Sequence, residues 1–197
     1  DLNDASATLP NSYNSVENIT PLETPLSSTI NGAALATPVF LSLYAENDLR
    51  LDKYFAETDE KGFRKNKKAG SNNYLCTFRV GEIYLTAAEA AARLGELSQA
   101  RTRLLELMRK RYAPEAYEAK SVVVNAMDKE ALVQEILDER ARELAFEGHR
   151  WFDLRRSTRP RLEKVLDGTR YVLEENDARY TLAIPKEAIE ANPGLLN

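Results

Sequence analysis

The sequence predicts a mainly α fold with long loops and a few short strands, and three observations carry that expectation. Apolar residues recur at spacings of three and four from Phe78 onward, a glycine interrupts them where two helices would turn, and the first 38 residues hold too much proline for a long helix. Residues 1–38 are rich in Ser, Thr, Asn and Pro, and Pro21, Pro25 and Pro38 limit them to loop with short extended pieces. Residues 39–44 are apolar enough for one or two helical turns, and 49–55 alternate as a strand would.

Beyond Phe78, the residues Val80, Ile83, Tyr84, Ala87, Ala88, Ala91 and Leu94 fall on one helical stripe, and Gly95 supplies the left-handed residue that ends it. Ser98 is placed to cap a second helix with Ala100, Leu104, Leu107 and Met108 facing inward, closed by Tyr112 and Pro114. Two amphipathic helices joined by so short a turn fold back antiparallel. The pair resembles a tetratricopeptide-type repeat: Ala88, Ala91 and Ala100 sit where small or medium residues are wanted and Leu104 where a large one is, while Tyr84 replaces the usual tryptophan. One such unit cannot bury both faces, so a further helix is expected, capped by Asp128 and packing through Val133, Ile136, Leu137, Ala141, Leu144 and Trp151. Gly148 lies on that face and costs about 1 kcal/mol relative to alanine inside a helix, which points to a close backbone approach or a bend. After Arg156 the chain loosens at Pro160 and Gly168, residues 180–184 are extended, and Pro185 opens a short helix over 186–191 that Asn192 and Pro193 end.

Composition sets outer bounds. A chain of 197 residues with 43% apolar content supports a domain with a real core. Lys plus Arg number 27 against 31 Asp plus Glu, and no long unopposed basic run offers itself to a phosphate backbone, so nucleic acid is not an expected partner. The densest basic stretch, 61–68, reads as a solvated loop. A lone cysteine, Cys76, excludes an internal disulfide and reads as a small buried hydrophobe. No apolar run is long enough to span a bilayer. Asp1 is neither an initiator methionine nor part of a signal peptide, so the sequence is expected to begin inside a longer gene product.

Three stretches carry a family resemblance. Arg79, Glu82, Tyr84 and Leu85, leading into Ala88-Glu89-Ala90, are similar to an R-x-x-E-x-Y-L-x-x-A-E-A helix. Glu139-Arg140, Glu143-Leu144, Phe146-Glu147-Gly148, Arg150-Trp151, Asp153-Leu154 and Arg156 are similar to E-R-x-x-E-L-x-F-E-G-x-R-W-x-D-L-x-R, lacking only an aromatic after Arg156. Ile184-Pro185, Glu187, Asn192-Pro193 and Asn197 resemble a closing I-P-x-x-E and N-P-x-L-x-x-N pattern. With a fainter N-D-x-R element at Asn47-Asp48-Leu49-Arg50 beside Tyr54-Phe55, these stretches resemble the C-terminal portion of the SusD/RagB family over roughly 47–197.

That resemblance implies a SusD-like fold in which 1–197 is one C-terminal domain: a loop-rich ligand side over 1–77, a helical scaffold over 78–156, and a closing loop, short strand and short helix over 157–197. It also implies a lipoprotein on the outer face of a Gram-negative outer membrane that binds oligosaccharide or another nutrient and hands it to a SusC-like TonB-dependent transporter. Such a protein uses no cofactor and meets the membrane only through an N-terminal lipid anchor outside this sequence. Sugar binding of this kind stacks aromatic faces on rings and hydrogen-bonds hydroxyls, chiefly from loops, which makes Tyr44, Tyr54 and Tyr74 the candidate carbohydrate contacts.

Enzyme readings start from Glu139, Glu143 and Glu147, which recur every four residues on one face. A di-iron centre needs Glu-x-x-His twice, and the only histidine, His149, stands two residues after Glu147. No Gly-x-Ser-x-Gly elbow accompanies it, Gly148 and Gly168 are too isolated to cradle phosphate, and nothing singles out a glycosidase pair. No catalytic or metal-binding residue is therefore expected. The charges read instead as pairs docking a helix, Asp138 with Arg142 and Glu147 with Arg150, with Trp151 and Phe152 in the core. The competing class is a tetratricopeptide-like adaptor that binds another protein through its helical face.

Overall fold

The computed structural model describes residues 1–4, 6–12, 14–22, 35–68, 76–192 and 194, and it divides into two compact units, Asp1–Arg150 and Trp151–Asn197. The first unit begins in loop and strand. β1 (Asn18–Leu22), β2 (Leu35–Ala36), α1 (Pro38–Leu41), α2 (Arg50–Tyr54), β3 (Phe55–Thr58), β4 (Arg64–Asn66) and β5 (Cys76–Arg79) follow in order. β1 pairs antiparallel with β5, and β4 lies between β2 and β3. The strand expected over 49–55 is corrected: 50–54 form the short helix α2, and only Phe55 opens a strand. Seven residues of alternation do not outweigh the bidentate grip of Asp48 on Arg50, which winds the chain at this point.

α3 (Val80–Leu94) and α4 (Leu97–Met108) form the expected antiparallel pair, turning at Gly95 with φ of 86°. Helix α3 starts at Val80, the first residue of the anticipated stripe, because Cys76–Arg79 is drawn into pairing with β1. Its buried face is rotated. Gly81, Leu85, Ala88, Ala91 and Ala92 point inward, while Ile83 and Leu94 of the predicted stripe are 42% and 77% exposed. The inward face of α4, Ala100, Leu104, Leu107 and Met108, is the one anticipated, although Glu96, not Ser98, occupies its N-cap.

Pro114 does not close that helix but opens another, α5 (Pro114–Ala126), where its missing N–H costs nothing at the first helical position. Asp128 caps α6 (Lys129–Glu143) by accepting from the Ala131 amide at 2.9 Å. The long helix expected to run on to Arg156 is broken: Phe146 and Gly148 take φ of 64° and 87°, and α7 (His149–Arg156) starts afresh. A Cβ on Gly148 would meet nothing within 4 Å, so this glycine serves a bend and not a close approach. Leu85, Leu104, Met108, Leu132 and Ile136, all fully buried, form the helical core. A second cluster is aromatic, with Phe40, Tyr44, Phe55 and Phe146 meeting edge to face at centroid distances of 5.6–6.3 Å.

The second unit is built on an antiparallel hairpin of β6 (Leu162–Leu166) and β7 (Thr169–Leu173). Asp167 and Gly168 both take positive φ, as a two-residue hairpin turn requires. Trp151 stacks on Tyr180 at 5.2 Å, and the Tyr180 hydroxyl donates to the Pro160 carbonyl. Phe152, expected in the core, is 62% exposed. α8 (Lys186–Ala191) follows Pro185 as anticipated. No helix among the described residues is long and apolar enough to cross a membrane. The expectation for the Cys76 side chain, and those for Pro193 and Asn197, lie outside the described residues.

Candidate functional site

Where α6 ends, its carboxylates do not face water. Glu139, Glu143 and Glu147 enter the interior of the first unit, and cations arrive from four separate stretches to meet them, joined by Arg142 of α6 itself. Arg50 at the start of α2 binds Asp48 at 2.7 Å and Glu139 at 2.7 Å and reaches Glu143 at 3.1 Å. Arg79, the last residue of β5, bonds Glu147 through Nε at 3.0 Å and Nη2 at 2.8 Å, Glu143 at 2.5 Å, and the Glu143 carbonyl at 2.7 Å. Arg111, just after α4, spans Glu143 at 3.0 Å and Glu17 at 2.6 Å. Lys68, following β4, donates to Glu147 and to the carbonyls of Glu143 and Ala145 at 2.8 and 3.0 Å, with its ammonium 4.9 Å from the Tyr54 ring centre. Arg142 completes the set on Glu139 and Glu135.

The side chains of Arg50, Arg79, Asp48, Glu139 and Glu143 have no exposed surface. Charges so deep survive only when each is matched and hydrogen-bonded. Counting Lys120 on Glu135, the cations Arg50, Lys68, Arg79, Arg111, Lys120 and Arg142 balance Glu17, Asp48, Glu135, Glu139, Glu143 and Glu147. Burial pushes the Glu143 carboxyl up, but the guanidiniums of Arg111, Arg79 and Arg50 outweigh it and hold it well below the usual carboxylate range. Glu139 and Glu147 are lowered in the same way, against burial, by Arg50 with Arg142 and by Arg79 with Lys68. Lys68 goes the other way: burial pulls its ammonium down to about 8 in spite of Glu147.

Gly81 makes room for this arrangement. A Cβ there would stand 2.7 Å from Nη1 of Arg79 and 3.1 Å from Oε1 of Glu143. The pairings expected from helical spacing are corrected accordingly. Arg142 binds Glu139 and Glu135 and not Asp138, which accepts from Gln134. Glu147 serves Arg79 and Lys68 and not Arg150. Lys68, expected in a solvated loop, is 2% exposed.

Of the candidate tyrosines, Tyr44 is 6% exposed and donates to the Arg142 carbonyl at 2.7 Å, and Tyr54 is fully buried beneath Lys68. Neither presents a ring face to solvent in this structure, and Tyr74 lies outside the described residues. Two surface recesses are better placed to meet a ligand. One, of about 270 Å³, lies against the start of α3 and the end of α4, lined by Val80, Tyr84, Leu107, Glu106 and Arg109 among others. The other, of about 290 Å³, is formed by the N-terminal loop, including Asp4, Ser6, Thr8 and Asn14, and the two share Glu17. Sequence reading missed both, because they gather residues from distant segments with no local motif.

A sequence model of the SusD family matches residues 34–197. The chain belongs to the SusD family. Two of the three family-like stretches and the fainter element meet in the interior: Arg79 from the first, Glu139, Glu143 and Glu147 from the second, Asp48 and Arg50 from the fainter element. Among solved structures, the SusD-like carbohydrate binding protein from Bacteroides vulgatus ATCC 8482 is similar in fold, with a TM-score of 0.53 and 21% sequence identity. The match covers 81% of this SusD-family chain and 40% of that protein, so the chain spans well under half of its solved relative. No curated protein matches.

Proposed function

We propose that this chain is the scaffold-bearing portion of a non-catalytic glycan-binding lipoprotein, displayed on the outer face of the outer membrane, that passes oligosaccharides to a SusC-like TonB-dependent transporter. The observation that carries this reading is membership of the SusD family over 34–197, together with what the family-like carboxylates do. Glu139, Glu143 and Glu147 are sealed from solvent and each held by more than one cation, so none is free to give or take a proton from a substrate. The relative from Bacteroides vulgatus is described as carbohydrate binding, which supports the choice of ligand. In this reading Tyr74, in the segment between Lys68 and β5, contacts sugar, while Tyr44 and Tyr54, buried in this structure, are packing residues. A glycan array tests it, followed by incubation with the labelled oligosaccharides that score. Retained, uncleaved oligosaccharide with binding weakened at least tenfold by Tyr74→Ala is expected. Hydrolysis, or an array without any bound glycan, overturns it.

One observation favours a second reading, a protein-docking adaptor: Ile83 and Leu94 on the outer side of α3 are 42% and 77% exposed. An adaptor of this kind self-associates or binds hydrophobic dye through that face, and Leu94→Glu abolishes it. A monomer in sedimentation with no dye binding removes this alternative.

A further inference from the structure

The recess beside α3 and α4 has a lining that selects among ligand chemistries. Val80, Tyr84 and Leu107 give it apolar surface, one of them an aromatic ring. Glu17 and Glu106 bring carboxylates, and Arg109, Lys110 and Arg111 bring cations. An anion would meet the two carboxylates, a cation the basic groups, and a purely apolar guest would strip water from the exposed charges of Glu17, Glu106, Arg109 and Lys110 without replacing it. A neutral polyhydroxylated ring satisfies every wall. Its C–H face lies on apolar and aromatic surface, its hydroxyl hydrogens go to carboxylates, and its oxygens accept from arginine and lysine.

Part of the lining is preorganised. Glu17 is fixed by Arg111 at 2.6 and 2.7 Å, and Arg111 is in turn fixed by Glu143, yet a carboxylate has about four acceptor positions and can take more. The Arg109 guanidinium has no hydrogen bond or ion pair among the described residues and is exposed at the rim. The volume of about 270 Å³ falls just below the roughly 300–1,000 Å³ of sites for drug-sized ligands. That suits one sugar ring and not an oligosaccharide.

We infer that this recess is a subsite for a single neutral pyranose residue, an inference that rests on the glycan-binding reading and assigns it a place. Methyl glycosides of glucose, galactose and mannose, with glucuronate and glucosamine as charged counterparts, are titrated by ligand-observed NMR and calorimetry. At least one neutral glycoside binds, ahead of both charged sugars by about tenfold. Val80→Trp, which fills the recess from a residue 36% exposed, and Tyr84→Ala each weaken it tenfold or more. Glu106→Gln weakens it about threefold, and thermal melts verify that each variant is folded. Equal or tighter binding of glucuronate or glucosamine overturns the ligand class. Undiminished binding by Val80→Trp, or array glycans that bind while no neutral glycoside does, overturns the location and leaves the glycan-binding function intact. An array on which nothing binds overturns both.

Discussion

Changing Glu143 to glutamine keeps the shape of the side chain and removes the one charge that three buried guanidiniums share. Arg50 would keep Asp48 and Glu139, and Arg79 would keep Glu147. Arg111 would keep only Glu17, whose side chain is 20% exposed. The loss therefore falls mainly on Arg111, itself 1% exposed and unable to recover water. Breaking a buried ion pair by neutralising one partner costs about 3–5 kcal/mol. Against a net stability of about 5–15 kcal/mol for a domain, that is a large share of the total. In a chain of this size a loss of about 4 kcal/mol lowers the midpoint of thermal unfolding by about 8–16 °C. Urea titration followed by far-UV circular dichroism gives the free energy, and a thermal melt gives the midpoint. Glu106→Gln is the control, because its pair with Arg103 is 40% and 46% exposed and such pairs are worth about 1 kcal/mol or less. If Glu143→Gln stays within about 1 kcal/mol of the unmodified chain, these charges are solvated and the account of the interior is wrong.

The same logic sets other outcomes. Glu139, Glu143 and Glu147 titrate below their ordinary 4.5 in the folded chain, so their stabilisation is complete above that pH and is lost as pH falls through the lowered values; a urea midpoint that holds from pH 6 to pH 3 would contradict this. Lys68→Met should cost under about 2 kcal/mol at pH 7, because Glu147 keeps both bonds from Arg79. Between pH 8 and 10.5 the unfolded chain holds the Lys68 proton more tightly than the folded one, so the unmodified protein gains stability on this variant from pH 7 to 9.5, and a constant or shrinking gap counts against it. Gly81→Ala should gain up to about 1 kcal/mol from helix propensity, yet a net loss is expected because the new Cβ displaces the Arg79 guanidinium; a stabilised variant in urea titration refutes the tight fit.

Much of the helical frame was legible in the residues. The turn at Gly95, the inward face of α4 and the Asp128 cap are local events, and local chemistry announces them. Pro114 misled because proline stops one helix and starts the next by the same missing N–H, which hid α5. The β6–β7 hairpin carries a readable signal, Asp167-Gly168 between Val165-Leu166 and Tyr171-Val172, which counting Pro160 and Gly168 only as breaks overlooks. Counting apolar residues alone misplaces the inner face of α3, because Gly81 and Glu89 are buried too. Partners of the buried glutamates were illegible in principle. Helical spacing reveals neighbours three and four residues away, whereas Glu143 finds Arg50 and Arg79 at separations of 93 and 64 residues. A row of three glutamates on a face that also carries Ile136 and Leu144 was the available hint that cations had to come from elsewhere.

That long-range closure also bears on how the molecule comes apart. Glu17, Arg50, Lys68, Arg79 and Arg111 must all be in place before the carboxylates of α6 are neutralised, and every partial arrangement strands a charge in a dry setting. Contacts that close so many distant segments carry a large loop-closure cost, which slows their assembly. Freeing any one of these segments leaves an unmatched charge at the others, so the five are expected to come apart together and not one by one.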